Sequence, residues 1–251
     1  MNDKASILDH VAISQKYFYP RHASFQNPYF VTSGKNQLAC YYHKIDNPKK
    51  TIIYFHGNGE VVADSLNFLE NRMEELGCSV LLAEYRKYGL SIGNDPALVA
   101  MLDDVEKIIK SVDIPMEDII LFGRSVGSIY ALHGASIFPN ISGLIIESGI
   151  SDVITRIFRM VKPKKKEMED KVIAEGKKYF DHKKKIQSFK GKVLIMHTEH
   201  DTLVSSSNAK DLYEWANEPK KLKLFELGDH NDILFVNKEE YLGLLDEFIN
   251  G

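Results

Sequence analysis

The chain has 251 residues, 44% hydrophobic and 27% charged, which is enough apolar material for a sizeable core and too much for a disordered chain. Its 32 basic and 35 acidic residues leave a net charge of −3, so a bulk electrostatic nucleic-acid binder is excluded. The two cysteines, Cys40 and Cys78, form no CxxC and no disulfide framework, which points to a reducing, cytoplasmic compartment. Asp3, Lys4, Asp9, His10 and Lys16 interrupt residues 1–20, so no signal peptide is expected, and no stretch is long and apolar enough to span a membrane.

In chain order, the first signal is a hairpin. Tyr29–Thr32 and Leu38–Ile45 flank Ser33-Gly34-Lys35-Asn36, a good turn sequence. Six short apolar runs follow, at Thr51–His56, Ser79–Tyr85, Asp118–Phe122, Gly143–Ser148, Lys192–His197 and Lys221–Leu227. Several are apolar on consecutive positions, as strands covered on both faces are. Amphipathic segments separate them. Val62, Leu66, Leu69, Met73 and Leu76 share one helical face, which Gly77 ends. Asp95-Pro96 reads as the cap and first residue of a second helix, through Leu98, Leu102, Val105 and Ile109. A third starts in the Ser205–Ser207 run, and a fourth carries Tyr241, Leu245 and Phe248. Alternating strand and helix predicts an α/β fold with a mostly parallel sheet, an antiparallel N-terminal edge and helices on both faces.

From Ile150 to Lys192 no strand appears, and 14 basic residues face 6 acidic ones, while the rest of the chain carries a net −11. The segment includes Lys164-Lys165-Lys166 and Lys183-Lys184-Lys185. We read residues 1–251 as one domain in which 150–191 is a basic, lid-like excursion. It is either a solvated helical face or a surface that meets an anionic substrate or an anionic membrane.

Gly123-Arg124-Ser125-Val126-Gly127 follows a strand run and opens a helix-like stretch, Val126 to Ile137. A G-x-S-x-G string alone is weak; strand–turn–helix is the setting of a nucleophile elbow. A serine hydroxyl needs a base, and the base needs a carboxylate to hold its tautomer. Asp201 and His230 follow later strands, in the order and at the strand ends where an open α/β sheet builds its site. Glu147 is the next candidate for the acid, with Glu199, Asp229 and Asp232 as further rivals. His200 and His197 are the nearest competing histidines, and His197 reads as structural. An oxyanion hole needs two backbone N–H groups. Val126, after the nucleophile, and Asn58, in His56-Gly57-Asn58-Gly59, are the candidates. His56 reads first as the ring that holds this loop. With Gly57 and Arg124 it is also a candidate wall of the substrate site. No phosphate-loop pattern competes for this segment.

His56-Gly57-Asn58-Gly59, the string from Glu84 to Gly93, Gly123–Gly127, Asp201–Val204 and His230-Asn231-Asp232 stand in the order of an α/β-hydrolase. From Phe25 to Phe248 the chain resembles that superfamily and, within it, the BEM46-like serine hydrolases. The resemblance implies an α/β-hydrolase fold of about eight strands with an insertion after the sixth. It also implies a Ser125–Asp201–His230 triad, oxyanion donors at Asn58 and Val126, and no metal or organic cofactor. The expected substrate is a small-molecule acyl ester or thioester. The same triad serves peptidases and amidases, and a non-catalytic binding protein on this fold is the alternative from another class. Thr198, Lys87 and Glu84 depart from common residues of the group. Residues 1–20 also lack the cysteine cluster of its depalmitoylases, so that activity is not carried over.

Overall fold

The computed structural model describes residues 6–161, 163 and 165–251. Lys164 of the first lysine triplet therefore lies outside the described residues. Eight strands form one sheet: β1 (Tyr29–Ser33), β2 (Asn36–His43), β3 (Lys50–Phe55), β4 (Cys78–Ala83), β5 (Ile119–Arg124), β6 (Gly143–Glu147), β7 (Lys192–Thr198) and β8 (Lys220–Phe225). Their order is β1-β2-β4-β3-β5-β6-β7-β8. β1 and β2 pair antiparallel around Gly34-Lys35, and β2 runs antiparallel to β4. The six strands from β3 onward are parallel.

The apolar runs alternate between two cores. Ile53, Phe55, Leu121 and Ile146 face one; Ile52, Tyr54, Phe122 and Ile145 face the other. Burial on both faces is why these strands read as continuous apolar runs. Helices α2 (Val62–Glu75) and α10 (Lys238–Asn250) cover the second core. Helices α3 (Ala100–Ser111), α4 (Gly127–Ile137) and α8 (Ser207–Trp215) cover the first. Gly77, just past the end of α2, has a φ of +75°, in the left-handed region.

Two features differ from the sequence reading. Asp95-Pro96 does not open α3, which begins at Ala100. The Asp9 carboxylate caps it instead, accepting from the N–H groups of Val99 at 2.7 Å and Ala100 at 3.1 Å. Its carboxyl is pushed upward by burial, against the two amides that favour its charged form. The second feature is an N-terminal strap with α1 (Val11–Tyr17), whose Leu8, Ile13, Tyr17 and Phe18 join the core.

The excursion between β6 and β7 is three helices: α5 (Val153–Met160), α6 (Lys166–Tyr179) and α7 (His182–Ser188). Its charge is partly matched within α6, where Lys166 pairs with Glu169 and Asp170, and Lys171 with Glu167. The strap ties to it, because the Ile7 N–H and the Ser6 hydroxyl both donate to Glu175. Among the described residues no helix is long and apolar enough to cross a membrane.

Candidate active site

Ser125 stands where β5 turns into α4, with φ +51°, a left-handed conformation that costs a non-glycine residue energy. The surrounding glycines are dictated by space. A Cβ on Gly123 would lie 2.6 Å from the Gly127 carbonyl oxygen and from Ser128 Cα. A Cβ on Gly127 would lie 2.0 Å from the Phe55 carbonyl oxygen and 2.8 Å from that of His56. The elbow is therefore pressed against the end of β3, with Gly127, the residue after Val126, against the Phe55 and His56 carbonyls. The Ser125 N–H donates to the Glu147 carbonyl at 2.8 Å, and the Ser128 hydroxyl donates to the Ser125 carbonyl at 2.6 Å. The turn is held from both sides.

His230 and Asp201 converge on it. The Ser125 hydroxyl lies 2.9 Å from His230 Nε2, and His230 Nδ1 lies 2.6 Å from Asp201 Oδ2. The residues are 4%, 5% and 9% exposed, so the contacts are shielded from water. Asp201 Oδ1 accepts from the N–H groups of Leu203 at 2.9 Å and Val204 at 2.7 Å. His197 Nε2 sits 3.1 Å from Asp201 Oδ2 and 2.8 Å from the Val204 carbonyl. Burial would raise the Asp201 pKa, but the hydrogen bonds from His197, His230 and Val204 outweigh it and hold the carboxyl well below the usual carboxylate range. Asp201 is thus a fixed negative charge, placed to orient an imidazole and stabilise its protonated form.

The rivals for the acid have other work. Glu147 lies 2.9 Å from Arg124 Nε and accepts from the Tyr241 hydroxyl. Asp229 Oδ1 accepts from the Thr202 N–H at 2.9 Å and the His230 N–H at 2.7 Å, so it pins the acid loop to the histidine loop. Asp232 accepts from the Asp229 N–H at 2.5 Å. Glu199 and His200 are exposed.

His56, Gly57 and Arg124, the candidate walls of the substrate site, are each engaged within the protein. The His56 ring is 1% exposed as a residue, with Nε2 2.7 Å from Glu84 Oε1 and Nδ1 2.7 Å from the Gly57 carbonyl. Burial disfavours its charged form, but Glu84 prevails and raises its pKa. Both ring nitrogens are engaged, and neither is left for a ligand. Glu84 also accepts from the Val62 N–H at 3.0 Å, which explains a glutamate here. Gly57 lies under side chains: a Cβ there would be 2.5 Å from Arg124 Nη1 and from Glu60 Oε1. Arg124 is committed to Glu60, Glu147 and the His230 loop.

The strap reaches this loop as well. Asn58 Oδ1 accepts from the Tyr88 hydroxyl at 2.7 Å and the Tyr19 N–H at 3.0 Å, and Asn58 Nδ2 donates to the Tyr17 carbonyl. The Asn58 side chain is an anchor, which leaves its backbone N–H as the group the loop can offer. Sequence reasoning missed Glu60, Tyr241 and the strap, since their partners are distant in the chain. His197 reads in the sequence as a structural histidine, with no sign of its contact with Asp201.

No protein-family model matches the chain. It is 28% identical over 193 residues to the uncharacterized protein YfhR of Escherichia coli O157:H7, an alignment covering 74% of this chain and 65% of that one. The chain thus spans just under two thirds of that relative's length. It is 25% identical over 228 residues to alpha/beta hydrolase domain-containing protein 17B of Homo sapiens, covering 87% of this chain and 73% of the other. Among solved structures it is similar to Est1E from Butyrivibrio proteoclasticus with ferulic acid bound, at a TM-score of 0.72 and 18% identity over 89% of this chain and 100% of that one. It is also similar to the Pyrococcus furiosus esterase Pf2001, at 0.71 and 18% over 93% and 98%. The structural likeness speaks to the fold.

Proposed function

We propose that this chain, which belongs to the α/β-hydrolase superfamily, is a serine hydrolase that cleaves a carboxylic ester or thioester. One observation carries the reading: Ser125, His230 and Asp201 form a continuous hydrogen-bonded line, with contacts of 2.9 and 2.6 Å, on the strained elbow that follows β5. His230 Nε2 takes the Ser125 proton as Oγ bonds to the acyl carbon. The Val126 and Asn58 N–H groups receive the negative charge that develops on the carbonyl oxygen. The tetrahedral adduct collapses, the carbonyl reforms, and His230 gives its proton to the departing oxygen or sulfur. Water, deprotonated by His230, then attacks the acyl-enzyme, and Ser125 leaves with the proton returned by His230. Asp201 stays ionised throughout, holding Nδ1 protonated.

The excursion borders this site through Arg156, whose Nη1 donates to the Leu203 carbonyl at 3.3 Å beside the acid loop. We assign it the wall that meets the substrate's far end, with a preference for anionic groups.

The test is a series of short-, medium- and long-chain p-nitrophenyl esters run beside an amino-acid amide fluorophore. Turnover of esters well above that of amides is expected, with the best chain length sizing the acyl pocket. Faster release from the amide would move the assignment to a peptidase or amidase. No turnover of either by folded protein would favour a binding role.

A further inference from the structure

We propose that Arg124 is the positioning residue of this site: its guanidinium locks the His230 backbone and the loop bearing Asn58 into one register around Ser125. The proposal rests on the serine-hydrolase reading. Arg124 is one of the two variable residues of the G-x-S-x-G string, and the chemistry of that motif does not ask for arginine.

Its side chain is only 12% exposed, and its N–H groups point to two loops and the end of β6. Nε donates to Glu147 Oε1 at 2.9 Å. Nη1 pairs with Glu60. Nη2 donates to the His230 carbonyl at 2.8 Å and to Asn231 Oδ1 at 3.2 Å. Each carboxylate passes the constraint on. Glu60 Oε2 accepts from the Gly57 N–H at 2.9 Å, at the start of the oxyanion loop. Glu147 accepts from Tyr241 on α10. The loop after β3, the end of β6 and the loop after β8 therefore share one planar group.

A cation between two carboxylates has a plainer use, which is to neutralise them. The geometry separates the two roles. Neutralisation needs a positive charge, which lysine supplies. Register needs a rigid fork of donors aimed in several directions, which a single ammonium nitrogen lacks. Lysine at this position keeps the charge and loses the fork.

The test compares wild type, Arg124→Lys and Glu60→Gln with two readouts. The first is steady-state kinetics on a p-nitrophenyl ester. The second is the far-downfield proton NMR signal of His230 Nδ1–H against Asp201, which does not depend on turnover. For folded Arg124→Lys, kcat falls about 10²-fold while KM stays within about threefold, as for a misplaced reacting group. The downfield signal shifts or broadens. Glu60 is 26% exposed in its side chain, so Glu60→Gln is expected to fold; it moves both readouts in the same direction by less. It decides the matter by itself if the lysine variant does not fold. Wild-type kcat and an unmoved proton signal in a folded variant overturn the proposal. If Ser125 proves dispensable for turnover, the serine-hydrolase reading fails, and the proton signal still reports whether Arg124 holds His230.

Discussion

Replacing Ser125 with alanine is expected to lower kcat on esters by about 10⁶-fold, the loss that follows when the nucleophile of a triad is removed. The substitution removes one oxygen from an elbow whose shape depends on other atoms. The Ser125 N–H and carbonyl keep their bonds to Glu147 and Ser128, and the glycine contacts with β3 are unchanged. A left-handed alanine at φ +51° is no better tolerated than serine, so the folded structure is expected to persist with a similar Tm. Parallel assays of ester hydrolysis and thermal unfolding check both halves. Retention of most activity would remove Ser125 from the chemistry. Loss of activity together with loss of fold would require Ser125→Gly as the second variant.

Asp201→Asn is expected to cost about 10⁴-fold in kcat, comparable to other triads in which the acid becomes an amide. The cause can be read from the hydrogen bonds. Asp201 Oδ1 takes two backbone N–H groups, from Leu203 and Val204. The amide oxygen of asparagine must stay there to accept them. Its NH2 then occupies the Oδ2 position, facing His230 Nδ1 at 2.6 Å and His197 Nε2 at 3.1 Å. Two donors cannot share that contact, so His230 moves its proton to Nε2 and loses the lone pair that should receive the Ser125 proton. His197 keeps the Val204 carbonyl, 2.8 Å from the same nitrogen, so the loop has a remaining tether. Because Asp201 is held well below the usual carboxylate range, the acidic limb of the wild-type pH profile does not come from its protonation. Full activity of Asp201→Asn near neutral pH would show that the carboxylate is not the orienting group.

Much of the site was legible because its constraints are local. Gly123 and Gly127 are forced by atoms within a few residues and by the end of β3, so the string and its strand–helix setting appear together in the sequence. Asp201 and His230 lie in the loops that follow β7 and β8, strands visible in the sequence as apolar stretches. The sequence alone leaves Glu147 as a rival to Asp201, because what occupies Glu147 is Tyr241, 94 residues further on, and Arg124. The start of α3 was misread for the same reason. Its cap comes from Asp9, about ninety residues earlier, while Asp95-Pro96 carries the local signal without the role. The strap left little trace, since a seven-residue helix is too short for periodicity to stand out. Arg124 is a candidate substrate contact in the sequence, where its partners are not legible. Only the fold shows which groups its guanidinium meets.

The most direct measurement is labelling of the folded protein with a fluorophosphonate, followed by mass spectrometry of its peptides. The account predicts one phosphonyl adduct, on the Ser125 peptide, absent from Ser125→Ala and slowed in Asp201→Asn. An adduct on another residue, or none on folded wild-type protein, would contradict it.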